Sequence, residues 1–240
     1  MLWYKGWLET RVRLLFVLAF YAVCFALFAV VKPSPSSPFA AMSAPDQVRA
    51  IVRLGFATYA VATACLQLAG AGITTQSSFQ QSKGLQGSTL FTLSLPVSRF
   101  RLLAVRAALG WLETAGFLGA LCGAMWMAFS PLHANFKPEE VAGYAATLIV
   151  CSLAIYAIPM LLATFLDDAG RMFASVPVFV ALWWLFNHTP LPASVNIFRA
   201  MGEGSPLVTH AMPWPAMAFS VGLAAILFFA ALKIVQRQEY

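Results

Sequence analysis

Charge is what this sequence has least of. Charged side chains make up 10% of its 240 residues, where soluble domains carry about 25%. No GxxxxGK[ST] run occurs, so the chain has no P-loop of its own to cradle nucleotide phosphates. HExxH and GxSxG are absent too, which removes two common hydrolase motifs and leaves no catalytic residue to name. The four cysteines, Cys24, Cys65, Cys122 and Cys151, sit inside apolar runs at spacings that fit no metal pattern. They read as small buried hydrophobes. The three histidines, His133, His188 and His210, fall in loops, none at mid-span where a bis-histidine haem would need them. Their spacing does not argue for a shared metal, so no metal is expected. Asn187-His188-Thr189 matches a glycosylation sequon at chance level. The first apolar run lacks a small-residue cleavage site, so no cleavable signal peptide is expected.

Long apolar runs are what the sequence has instead. Hydrophobic residues reach 60% and mean hydropathy is +0.77. A spanning helix needs about 20 mostly apolar residues, and only helices or closed barrels satisfy their backbone in lipid. The runs are continuous rather than alternating, which favours helices. The expectation is an all-α integral membrane protein, one transmembrane domain over residues 1–240. Its six spans fall near 14–31, 54–73, 102–129, 141–166, 172–186 and 215–235. The first 13 residues place Lys5, Glu9 and Arg13 on one stripe, with Trp3, Tyr4 and Trp7 on other faces. That suits an interfacial elbow helix, or else the polar start of the first span. Residues 45–53 look like a helical lead-in to the second span, and a short helix is expected near 194–201. Pro159 is a kink candidate. Asp167, Asp168 and Arg171 read as a tight turn. Ala115, Gly119 and Gly123 recur every four residues, a face suited to close helix packing.

The formal net charge of +6 does not require nucleic acid. Basic residues beside spans are what topology and anionic lipid headgroups select. With six spans the termini share a side with the two-to-three and four-to-five connections. That side holds Lys5, Arg11, Arg13, Lys83, Arg99, Arg101, Arg106, Arg171, Lys233 and Arg237. The other holds Lys32, Arg49, Arg53, Lys137 and Arg199. The excess puts both termini in the cytoplasm of a cell inner or plasma membrane protein.

The stretch at 84–113 stands apart. It opens with Gly84, Gly87 and Ser88, continues through Leu90, Phe91 and Leu93 to Pro96, then carries Arg99, Arg101 and Arg106 into an apolar run. The glycines permit a sharp turn, Ser88 or Thr89 can cap a helix, and the leucines and Phe91 give it an apolar face. It reads as a cytoplasmic helix gripped by another protein, within a segment at 76–100. Glu113 is the one strong intramembrane anomaly, a carboxylate about two to three turns into the third span. A charge there is costly unless it is paired or faces water; Arg106, seven residues earlier on the same face, or a cytoplasmic basic residue on another helix is the candidate partner, and a proton or cation site is the other reading. On the second span, Thr58, Tyr59, Thr63 and Gln67 are the polar side chains suited to a pathway.

Residues 88–113, STLFTLSLPVSRFRLLAVRAALGWLE, resemble the cytoplasmic connection of ABC-2-type ABC transporter permease subunits. In that family the helix between spans two and three carries an (F)TLSLPVSR…RLL…R…G…E run. Looser likenesses are the WYKGWLETR opening, Pro213-Trp214 before the last span and the terminal Glu239-Tyr240. The first outward loop is shorter than in many relatives, and no nucleotide-binding domain is fused. The resemblance implies a permease subunit paired with a second copy or a homologue. A separate ABC ATPase subunit binds ATP and Mg and docks on the coupling helix. Two rivals stay open. A stand-alone secondary transporter or channel would need paired intramembrane charges or repeats. A membrane-embedded lipid-modifying enzyme would need polar residues clustered at one membrane face.

Overall fold

A computed structural model describes residues 2–30, 42–53, 56–69, 98–128, 135–166, 168–190 and 192–237. They form α1 (Leu2–Val30), α2 (Ala44–Arg53), α3 (Phe56–Leu68), α4 (Arg99–Ala128), α5 (Pro138–Leu162) and α6 (Asp168–His188). A single 3₁₀ turn (Ala193–Val195), α7 (Ile197–Met201), α8 (Pro206–Thr209) and α9 (Trp214–Arg237) complete them. No strand occurs among the described residues. Among the described residues, three helices, α4, α5 and α9, are long and apolar enough to cross a membrane. The protein is therefore a helical membrane protein. The outer faces of α1 and α9 expose Val12, Phe16, Ile226 and Phe229, side chains that belong against acyl chains.

The helix α5 is the axis of the bundle. It packs on α3, α4, α6, α7, α8 and α9, and α1 closes the far side against α3 and α4. In its apolar window 56% is buried, against 22% for the peripheral α9. Its start follows from its sequence. Lys137 precedes Pro138, which needs no amide partner in the first turn, and the Glu140 carboxylate accepts the Lys137 amide at 3.0 Å. Pro159 lies in the last turn, and the helix continues past it to Leu162 before the chain turns.

Where α9 crosses α5, Ser220 is fully buried. Its Oγ donates toward the carbonyls of Val150 (2.9 Å) and Cys151 (3.1 Å) and accepts the Ala154 amide at 3.2 Å. In lipid such a polar tie between helices is worth about 0.6 kcal/mol, and up to ~1.7. Ser220→Ala should therefore lower stability by about 1 kcal/mol. Thermal unfolding in detergent reads this out, and an unchanged midpoint would show that the tie contributes nothing.

Three expectations change. The N-terminal elbow is not a separate element, because α1 runs unbroken from Leu2 to Val30. No proline interrupts it, and the Thr10 hydroxyl lies 3.1 Å from the Gly6 carbonyl of the preceding turn, without breaking the turn. Arg171 is not part of a tight turn. It lies inside α6 and is fully buried, because α6 begins at Asp168 and carries it into the bundle. The small-residue face of α4 meets no close neighbour among the described residues: a Cβ at Gly119 or Gly123 would find nothing within 4 Å, nor would one at nearby Gly116.

Candidate functional site: a polar junction and a groove

Residues 88–97 of the resembling stretch lie outside the described residues, Ser88, Leu90, Phe91 and Leu93 among them, and so do Gly84 and Gly87 just before it. Its end is described. Ser98 Oγ accepts the Arg101 amide at 3.3 Å, so Ser98 caps α4. Arg99 and Arg101 therefore stand in the first turn, and Arg101 is exposed. The last residues of the stretch are continuous with a 30-residue helix.

Further along α4, Gly110 and Glu113 meet three other helices. Gly110 is buried where α3, α4 and α5 converge. A Cβ there would sit 2.3 Å from Tyr156 Oη and 3.0 Å from the Leu68 carbonyl. One turn on, the buried Glu113 carboxyl is held by the Thr10 hydroxyl of α1. Arg106 was the expected partner. A spacing of seven residues separates two Cα atoms by about 10.5 Å along a helix, whereas α1 brings Thr10 directly alongside. That approach depends on Gly6, where a Cβ would lie 2.7 Å from Leu109 Cδ2. Tyr156 of α5 stands within electrostatic reach of both Glu113 and Arg171. Four helices thus contribute polar side chains to one buried junction.

The junction makes a graded prediction. Glu113→Gln keeps an acceptor for Thr10 and should cost under about 1 kcal/mol. Thr10→Val leaves the carboxyl without that partner and should cost about 1–3 kcal/mol. The comparison of the two unfolding midpoints checks it. A neutral Thr10→Val would mean that this contact does not hold α1 in place.

At the other end of α6 the helices part to leave a groove of about 800 Å³. Arg53, Thr58 and Tyr59 line one side, from α2 and α3. Phe179, Trp183, Phe186 and Asn187 of α6 line another. The floor is Asn196, Phe198 and Gly202, with Arg199 and Glu203 at the rim. Asn196 fixes this floor. Its Oδ1 accepts the amides of Phe198 (3.0 Å) and Arg199 (3.1 Å), capping α7. Its Nδ2 donates to the Phe186 carbonyl at 2.9 Å, pinning α7 to the end of α6. Phe198 packs edge-on to Phe179 and Phe186.

The four pathway candidates separate. Thr58 and Tyr59 reach the groove. Thr63 is taken up in an α1–α3 contact, its Oγ1 2.7 Å from Tyr21 Oη. Gln67 is half-buried farther along α3 and is not among the residues that line the groove. The sequence did not single out Arg53, Trp183, Asn196 or Arg199 as groove residues. Only Asn196 had a local signal, a capping residue before an apolar pair.

His133 lies outside the described residues. His188 stacks on Trp184, with centroids 4.8 Å apart. His210 Nδ1 meets Glu140 Oε1 at 2.7 Å, tying the α8 turn to the start of α5. Among the described residues no three His, Cys, Asp or Glu side chains gather as a metal site would require.

No protein-family model, no curated protein and no solved structure matches the chain.

Proposed function

We propose that this chain is the membrane subunit of an ATP-driven exporter of the ABC-2 kind. It would carry six spans with both termini in the cytoplasm and work as one of two such subunits. A separate ATPase would bind ATP and Mg and dock on the stretch at 76–100. The carrying observation is the run at 88–113, with its apolar residues before Pro96 and its basic residues after it. The absence of a P-loop from this sequence fits an ATPase supplied in trans.

The physical support is mechanical. A push on a docked segment does work only if it is delivered to something stiff. Residues beyond Pro96 enter α4 at a capped first turn, and α4 runs 30 residues without a proline. Its middle is gripped by α1, α3 and α5 around Gly110 and Glu113. Displacement of the segment would therefore shift α4 against the bundle axis. A stand-alone ion-coupled transporter would put Glu113 on a water-filled path. Its carboxyl instead faces Thr10 in a helix contact, and the groove is lined by other residues.

The test is to co-express the tagged chain with a candidate ABC ATPase subunit from the same genome and purify both in detergent. The expected result is one complex in which ATP hydrolysis is stimulated over the ATPase alone. A chain that purifies alone, leaves hydrolysis unchanged and moves solute on an ion gradient in vesicles would overturn the proposal.

A further inference from the structure

The groove joins features that suit a particular ligand. It is open, and its volume of about 800 Å³ lies in the range of small-molecule sites, about 300–1,000 Å³. One wall is aromatic and continues onto the outer surface of the bundle: Tyr59 is 66% exposed, Val180 54% and Trp183 46%. Tyrosine and tryptophan are the residues that settle at headgroup depth. The groove therefore opens sideways, where acyl chains would lie, as well as toward water.

Its charges are few and unequal. Arg53, at the end of α2, is exposed and makes no ion pair among the described residues. Arg199 has only a loose partner, with Nε 3.9 Å from Glu203 Oε2 and both side chains more than half exposed. Such an exposed pair is worth little and gives way to a better acceptor. Of the charged residues that line the groove, the two arginines outnumber Glu203 by one, with the Asp46 carboxylate of α2 also within electrostatic reach of Arg53. A guanidinium is well matched to a phosphate, which it binds through two parallel hydrogen bonds. Thr58 and Asn187 add polar contacts at the same end.

We propose that this groove binds one anionic phospholipid from the adjoining leaflet. Its phosphate sits at Arg53, with Arg199 as the second cation. Its glycerol and upper acyl chain lie along Tyr59, Val180 and Trp183. Basic pockets between helices are recognised headgroup sites on the cytoplasmic side of membranes; Arg53 and Arg199 fall on the opposite side of the expected topology, so the lipid here comes from the outer leaflet. The proposal does not depend on an ATPase partner.

The test uses the full chain in detergent without nucleotide, titrated with phosphatidylglycerol or with phosphatidylcholine of the same acyl chains, and read by native mass spectrometry. One phosphatidylglycerol should bind per chain, at least ~10-fold more tightly than phosphatidylcholine. Arg53→Gln should remove that preference, Arg53→Lys should keep most of it, and Lys137→Gln, a cation outside the groove, should leave it unchanged. Unfolding midpoints equal to the parent's confirm that the variants are folded, as the exposure of Arg53 leads one to expect. Equal binding of the two lipids overturns the proposal. So does an Arg53→Gln variant that still prefers phosphatidylglycerol, or a Lys137→Gln variant that loses the preference equally. Competition by soluble glycerophosphoglycerol at the lipid's own concentration overturns it as well, since the occupant would then be a soluble anion.

Discussion

Gly110→Ala should destabilise the protein by about 1–3 kcal/mol, although it adds a single methyl group to a helix. Alanine is the better helix former by roughly 1 kcal/mol, so intrinsic propensity predicts the opposite sign. Space decides the outcome. The new Cβ would stand 2.3 Å from Tyr156 Oη and 3.0 Å from the Leu68 carbonyl. Tyr156 is only 4% exposed and so has nowhere to swing, and Leu68 presents backbone. The same substitution at Gly116, Gly119 or Gly123 meets nothing within 4 Å, so there propensity should win and the change be neutral or stabilising. The two classes of glycine share one helix, which makes them internal controls. Tyr156→Phe removes the nearest atom, so Gly110→Ala should cost under half as much in that background. A double-mutant cycle on unfolding midpoints measures this coupling. Additive costs would mean that Tyr156 is not what Gly110 accommodates.

The contrast between those glycines shows what could be read from the sequence and what could not. The helices were legible because each signal is local. Unbroken apolar runs gave α4, α5 and α9. The short helix expected near 194–201 is met by the 3₁₀ turn and α7, while the span expected from residue 141 begins a little earlier, at Pro138. Which face of a helix meets which neighbour is not local. Ala115, Gly119 and Gly123 had the spacing of a packing face, yet the close approach is at Gly110, whose environment is set by Leu68 and Tyr156 on two other helices. Glu113 was legible as an anomaly because a carboxylate in an apolar run is costly wherever it points. Its partner was not, since Thr10 is 103 residues away. Arg171 shows the same limit from the other direction. Next to Asp167 and Asp168 it read as part of a tight turn, but it lies within α6, whose phase turns it inward. In the groove, Arg53 and Arg199 come from helices far apart in the chain, each read alone as an ordinary surface cation.

The largest functional effect should come from the double change Leu90→Asp, Phe91→Asp. If residues 84–95 form the surface gripped by the ATPase, these two side chains are its apolar centre. The few residues at the centre of an interface carry most of its energy, and each costs about 2 kcal/mol or more when lost. Two carboxylates placed there would also be desolvated without partners. Affinity should fall by at least ~100-fold, enough to abolish co-purification and ATPase stimulation together. The bundle itself should survive, because the altered residues lie before Pro96 and precede α4 in the chain. An unchanged unfolding midpoint is part of the prediction and separates lost docking from lost folding. Lys83→Gln, at the edge of the same segment, should weaken the complex only slightly and more at low salt than at high. Arg99→Gln with Arg101→Gln tests the other half of the stretch. These residues open α4 instead of forming the gripped face, so the complex should persist while stimulation falls. A double Asp variant that still binds its ATPase and stimulates hydrolysis would move the contact away from Leu90 and Phe91. The run at 88–113 would then no longer support coupling through this segment.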